Sequence, residues 1–380
     1  MASAFRRRSL LALLPALALT ATASRPRAAT EGADVLALGH LEPAGVTLVD
    51  RSRGDVRRHL PLGHEPAQLL IDGRGRRLLA SDYDNGLTLL PLAGGAEPRY
   101  LPLPFMPVHM QAAPGRDLLA VNGLTEEGLW LLDPARSGEA RRIRGLVEPH
   151  NYRFDRTARR LYVADRGGRG LAVVDPARAE RVAELGLEAT ARMPAEAVPD
   201  GVALAADGRS ALLLHDGADR AATVSLADGR SRVGPALGGQ PDRPRSDPRG
   251  RFFLVELAES GEVLLLAPDM PTVLARLPLG VTPALAAWLW FDQILALAAP
   301  GSDRLLLVDL ESLRMLAERS LPGPVTALAA TAAGDRLLLF LDDPPRILAM
   351  RMPDLELRER APLPAPAALA ATAGGASFCS

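Results

Sequence analysis

The chain has 380 residues, 48% of them hydrophobic and 23% charged, so it carries enough apolar surface for a large core and is not a disordered polymer. All 44 basic residues are arginine, which excludes lysine Schiff-base chemistry and any GxxxxGK[ST] phosphate loop. A net charge of -1 gives no electrostatic footprint for nucleic acid, and the single cysteine, Cys379, permits neither an internal disulfide nor a cysteine-built metal site.

Taken in chain order, residues 1–23 read as an export signal. A positive n-region (MASAFRRRS) precedes a short apolar run, Leu10–Leu19, and Ala21-Thr22-Ala23 supplies an A-x-A-like cleavage site. Arg7-Arg8-Ser9-Leu10-Leu11 also resembles a twin-arginine signal, so both Sec and twin-arginine export fit. The apolar run is too short and proline-broken to span a bilayer, and no later charge-free stretch reaches the required ~20 residues. The expected address is the periplasm or the medium, with no transmembrane segment after signal removal.

Residues 31–373 follow one repeat. Prolines recur at Pro66, Pro107, Pro149, Pro199, Pro241, Pro283, Pro324 and Pro366, about every 42 residues with one longer interval. In each unit an apolar stretch follows the proline, and most units then turn at Gly, Asp or Pro, as in Asp72-Gly73, Pro114-Gly115 and Asp207-Gly208. A β-rich run comes next (RRLLAS 76–81, RRLYVA 159–164, RFFLVE 251–256), then a second (GLTLLPL 86–92, GLAVVDP 170–176) and a more polar third (LRMLAERSLPG 313–323). Four short strands per unit, with no lasting helical period, give an all-β chain whose repeat length is that of a β-propeller blade.

Seven units lie between Pro66 and Pro366. Before them, 33–40, 45–50 and 55–63 read as the second, third and fourth strands of another blade, and PAALAATA (366–373) reads as a lone first strand. Joining the ends gives eight blades and removes the exposed sheet edges; seven blades remain if a terminal unit is incomplete. Residues 374–380 are left as a tail.

Units such as EPHNYRFDRTARRLYVADRGGRGLAVVD (148–175) resemble the YVTN-type, lactonase-like propeller repeat, through the proline, the central turn, the LYVA-like strand and the VVD-like strand. The resemblance implies architecture; that repeat serves enzymes, cofactor-bearing domains and binding proteins alike.

The two positions after each proline should ring one mouth of the central channel, joined there by the ends of the second strands. His109, His150, Asp200 and Asp242 come from consecutive blades at this mouth, with His40, His64 and His215 on the same face and His59 alone outside it. Imidazoles and carboxylates are the ligand set of zinc or another divalent metal, and those first four are the candidate ligands. The extra residues of the long interval, 186–198, fall on this same face. Asp82-Tyr83-Asp84-Asn85-Gly86 reads as an Asn-Gly hairpin, since it lacks the downstream glutamate of a calcium loop. The sequence has no GxSxG or HExxH motif.

The reading is an exported binding or scaffold propeller, metal-binding in its sharper form. Its partner would be a small ligand, a metal or another periplasmic protein. Two alternatives are a lactonase-like metal-assisted hydrolase and a haem-bearing propeller similar to cytochrome d1 domains, the latter without a CxxCH attachment motif.

Overall fold

The computed structural model describes residues 34–93, 97–123, 128–136, 140–280 and 285–372. The signal segment and the tail lie outside the described residues.

Alternating short runs of Val, Leu, Ala and Ile form strands whose two faces are both buried, and almost every sheet has four strands in antiparallel sequence order. Five of these sheets are built from consecutive segments. They begin at Gln68–Ile71, Pro107–Ala112, Pro149–Phe154, Val198–Leu204 and Pro241–Ser246, each of which is an innermost strand. We number them blades 2 to 6. Blade 1 contains Val35–His40, Gly45–Asp50 and Val56–Pro61, and takes its innermost strand from the other end of the chain, Leu369–Thr372.

The remaining seven strands run as one sheet because the 17-residue strand Arg314–Ala330 belongs to two blades. Its first part pairs with Ser302–Asp309 as the outer strand of blade 7, and from Val325 onward it pairs with Arg336–Leu341 as the inner strand of blade 8. The architecture is therefore an eight-bladed propeller. Outer strands such as Val56–Pro61 and Glu180–Leu185 are largely solvent-facing, in keeping with their higher charge.

The core is a series of slabs between neighbouring blades. Blades 2 and 3 share Leu70, Leu79, Leu89, Phe105, Met110 and Val121, and blades 8 and 1 share Phe340, Ile347, Leu36 and Leu38. Packing of this kind, repeated around the ring, needs both faces of each sheet apolar, and that is the pattern of the sequence.

Three local details stand apart from the repeat. The fourth strand of blade 3, expected over 140–146, shrinks to Arg141–Arg142; Ile143 then turns inward, and Arg144 bridges to Glu180 of blade 4. The long interval forms a single helical turn, Leu187–Thr190, whose Ala189, with Met193 and Ala197, packs on Ala218 and Ala222. Blade 7 turns through Trp290, Phe291 and Asp292, all with left-handed φ, near 50°, 56° and 57°.

Candidate functional site

An innermost strand has one edge with no strand partner, and that edge lines the channel. Around blades 2 to 6 its backbone groups are met by polar side chains of neighbouring blades. Gln68 donates to the Val108 carbonyl, Phe154 N donates to Gln111 Oε1, Val202 N to Asn151 Oδ1, and Tyr152 OH to the His109 carbonyl at 2.7 Å.

At one end of the channel the repeat prolines stand opposite the ends of the second strands: Pro107 faces Gly123, Pro149 faces Asp165, Pro199 faces His215 and Pro241 faces Leu257. The pairing register slips just after the proline in blades 3, 4 and 5, and between Asp242 and Arg245 in blade 6. Each slip is a bulge, which re-aims the following side chains at the mouth.

Blades 4 and 5 meet there in an ionic cluster. His150 Nδ1 donates to Asp200 Oδ1 at 3.0 Å, and Arg166 holds the same oxygen through Nε at 2.8 Å and Nη2 at 2.5 Å. Arg166 also reaches Asp216 at 3.5 Å, and Asp216 accepts from Gln240 Nε2 at 2.7 Å. The bond to Asp200 raises the His150 pKa above the ordinary histidine value, outweighing partial burial. Burial works to raise the Asp200 pKa, but His150 and Arg166 together hold it below the usual carboxylate range.

His109 is different. Its ring stands edge-on to Tyr152, centroids 5.2 Å apart, and its buried Nε2 has no hydrogen-bond partner. Burial, reinforced by the charges of Arg153 and His150, lowers its pKa to about 3, so the imidazole is neutral.

Beneath it, arginines stand two and four residues after the prolines. Arg153 in blade 4 and Arg245 in blade 6 occupy equivalent positions on either side of Ala203 in blade 5. Arg153 Nη1 donates to the Tyr152 carbonyl at 2.7 Å, and burial lowers its pKa to about 10, with Arg245 adding to the shift. Arg245 pairs with the buried Glu256 at 3.0 Å, and Arg243, held at a left-handed φ of 49°, reaches the same carboxylate at 3.8 Å.

The four expected metal ligands are thus split between environments. His150 and Asp200 are joined, but with Arg166 between them and any further ligand. His109 is buried beside Tyr152, and half-exposed Asp242 is bonded by the backbone N of Arg243, whose Nε lies 4.0 Å away. Among the described residues no group of three or more His, Cys, Asp or Glu side chains is placed to hold a metal ion. The structure therefore does not bring His109, His150, Asp200 and Asp242 into one centre; Arg166 and Arg243 neutralise the carboxylates that a cation would need.

The other histidines have their own partners. His215 is fully buried; its Nε2 lies 2.9 Å from Thr190 Oγ1 in the inserted turn, and burial lowers its pKa to about 4. His64 Nε2 lies 3.1 Å from Thr88 Oγ1 and 3.5 Å from Asp82. His40 lies 2.7 Å from Thr47 Oγ1, and His59 approaches the same hydroxyl at 3.1 Å. His59 therefore joins the His40 cluster, a correction to its expected isolation, because Thr47 and His59 are cross-strand partners. Asp82 Oδ1 accepts from the backbone N of Asp84 and Gly86, the hairpin form expected for that loop. Arg153 and Arg245 escape a reading confined to the two residues after each proline; the period-2 strand pattern extended to the fourth residue would include them.

No family model and no curated relative matches the chain. Among solved structures it is similar to the dihydro-heme d1 dehydrogenase NirN in complex with DHE (TM-score 0.72, 17% identity, 92% of this chain and 77% of that one). It is also similar to apo AztD from Citrobacter koseri (TM-score 0.53, 14% identity, 76% and 95%). A third similar structure is a provisionally assigned 6-phosphogluconolactonase from Bacteroides uniformis (TM-score 0.54, 13% identity, 77% and 98%). At these identities the likeness shows the fold, a β-propeller.

Proposed function

We propose that the chain is an exported, YVTN-type binding propeller that takes a haem-type tetrapyrrole at the histidine-bearing mouth of its channel. The observation that carries this reading is His109: a neutral imidazole with a buried Nε2 that no protein group satisfies. A buried polar atom without a partner is costly, and a metal-centred ligand at that position relieves it. Haem iron supplies the acceptor for an imidazole lone pair. The arginine layer of Arg153, Arg243 and Arg245 suits the carboxylates that such ligands bear, since guanidinium groups bind carboxylate through paired N–H donors. One imidazole with arginines nearby fits such a group better than a bare ion that needs three or four anionic or imidazole ligands. The fold likeness to a protein named for dihydro-heme d1 supports the same class. The signal-like residues 1–23 support an extracytoplasmic address.

The test is titration of the purified protein with ferric haem, followed in the Soret region. The expected result is a saturable spectral shift that His109→Ala abolishes and His59→Ala leaves unchanged. No shift, or a shift indifferent to His109→Ala, overturns the reading. Zinc calorimetry on the same samples tests the free-ion alternative.

A further inference from the structure

The channel has a second mouth, at the opposite end, built from the hairpin turns that join each innermost strand to the next. These turns touch around the ring. Gly115 N donates to the Gly73 carbonyl at 2.9 Å, Trp290 N donates to the Gly334 carbonyl at 2.7 Å, and Arg251 Nη2 bonds the Asp292 carbonyl. A Cβ added to Gly250 would lie 3.3 Å from Ala206 Cβ, so the turns of blades 5 and 6 are also in contact. The turns thus form a collar.

Arginines outnumber carboxylates on it. Arg116, Arg156, Arg159, Arg209 and Arg249 are all exposed on the turns of blades 3 to 6, and none makes an ion pair with another described residue. Of the acidic residues on these turns, two are taken up by ion pairs, and two accept from neutral donors and keep their charge. Asp117 holds Arg74, Arg76 and Arg77, and Asp247 holds Arg251. Asp155 takes the Thr157 hydroxyl and the Arg159 backbone N, and Asp207 takes the Arg209 backbone N. The outer hairpins at the same end already pair their acids with nearby arginines: Asp133 with Arg136, Asp175 with Arg160 and Asp228 with Arg230. Beside the collar, the strained left-handed turn of blade 7 holds Phe291 68% exposed.

We propose that this collar docks an acidic polypeptide segment of a partner protein. Free guanidinium groups on four consecutive blades match a run of carboxylates, and Phe291 offers an apolar contact at its edge. The paired outer ring decides the shape of the partner. A flat anionic bilayer or a nucleic-acid duplex would also cover the outer hairpins, whose charges are already paired, whereas a slender chain fits within the inner ring, where the arginines without ion pairs lie.

The experiment uses the full chain and a short fluorescein-labelled Glu-rich peptide with one central leucine, read by anisotropy. Saturable binding is expected, weakening with added salt, and at least roughly tenfold weaker in the Arg156→Gln/Arg159→Gln/Arg249→Gln variant. These side chains are exposed, so an unchanged circular dichroism spectrum should confirm the fold. Absence of binding, binding that survives the triple replacement, or equally strong retention on phosphatidylglycerol vesicles overturns the proposal.

Discussion

His40 Nδ1 donates to the carbonyl of Pro366 across 2.9 Å, tying together residues 326 positions apart. That bond sits where the chain ends meet: Leu36 to Gly39 pair with Thr372 to Leu369, so the last strand completes the first blade. The donor role of Nδ1 fixes the neutral tautomer, in which Nε2 accepts from Thr47 and Thr47 accepts from His59 Nδ1.

The first prediction concerns this seam. A chain ending at Pro364 would leave the edge of Val35–His40 unpaired, and an open strand edge recruits other chains. Aggregation by light scattering and loss of a cooperative urea transition are the expected outcomes; a monomeric, cooperatively folded truncation would refute the assignment. His40→Ala removes a buried side chain bonded at both nitrogens and should cost about 1–3 kcal/mol in urea unfolding.

The second prediction is an acid weakness. Burial lowers the pKa of His109 to about 3, of His215 to about 4, and that of His40 below the ordinary value. Below pH ~6.5 the unfolded chain binds protons at these positions and the folded chain does not, so stability falls as pH drops. The loss should run from about pH 6.5 down through pH 4, with His215 alone contributing on the order of 2–3 kcal/mol. Urea midpoints measured across this range should decline, and the decline should be shallower in His215→Gln. Thr190→Ala removes the hydroxyl bonded to His215 and should speed hydrogen exchange in residues 187–197.

The propeller was legible because its cause is periodic. Each blade must place a proline, a turn and two apolar strands at fixed intervals, and that spacing survives in the sequence from Pro66 to Pro366. The mouth was legible in part, since Pro149 opposite Asp165 and Pro199 opposite His215 follow from strand pairing alone. What an individual side chain does there was not. His150 and Asp200 read as metal ligands, but Arg166, from a turn in the middle of its unit, takes the carboxylate. Arg166 directly follows Asp165 at the end of a second strand, so its place at the mouth follows from the pairing, but its choice of the Asp200 carboxylate in the next blade does not. His109 is the second residue after its proline and His150 the first; the bulges fall at the same place in both blades, so this one-residue offset leaves His150 exposed and His109 partly buried.

A third prediction follows from that contrast. The pKa of His150 is raised, and the first cause is its bond to Asp200. A raised value means that this contact stabilises the fold fully below pH ~6.5 and is lost as pH rises through the folded pKa. Proton-detected titration should show His150 above the ordinary value in the wild type and lower in Asp200→Asn, where only the backbone carbonyl of residue 200 still opposes burial and the Arg166 charge. An unchanged His150 titration in Asp200→Asn would show that Asp200 does not set it.

The last prediction tests the arginine layer. Glu256 is 1% exposed, in the second strand of blade 6, 3.0 Å from Arg245 and 3.8 Å from Arg243. Removing a buried anion strands its cations, and such losses cost about 3–5 kcal/mol because the desolvated charge is left without its compensation. Glu256→Ala should therefore destabilise the protein far more than Glu262→Ala, whose carboxylate is part-exposed in its pair with Arg276, where about 0–1 kcal/mol is expected. The two variants differ in a second way. With Glu256 gone, Arg243 and Arg245 become better hosts for an external carboxylate, so millimolar citrate should restore part of the lost midpoint in Glu256→Ala and leave Glu262→Ala unmoved. Equal losses in both variants, or no rescue by citrate, would mean that the layer holds the blade together without facing a ligand.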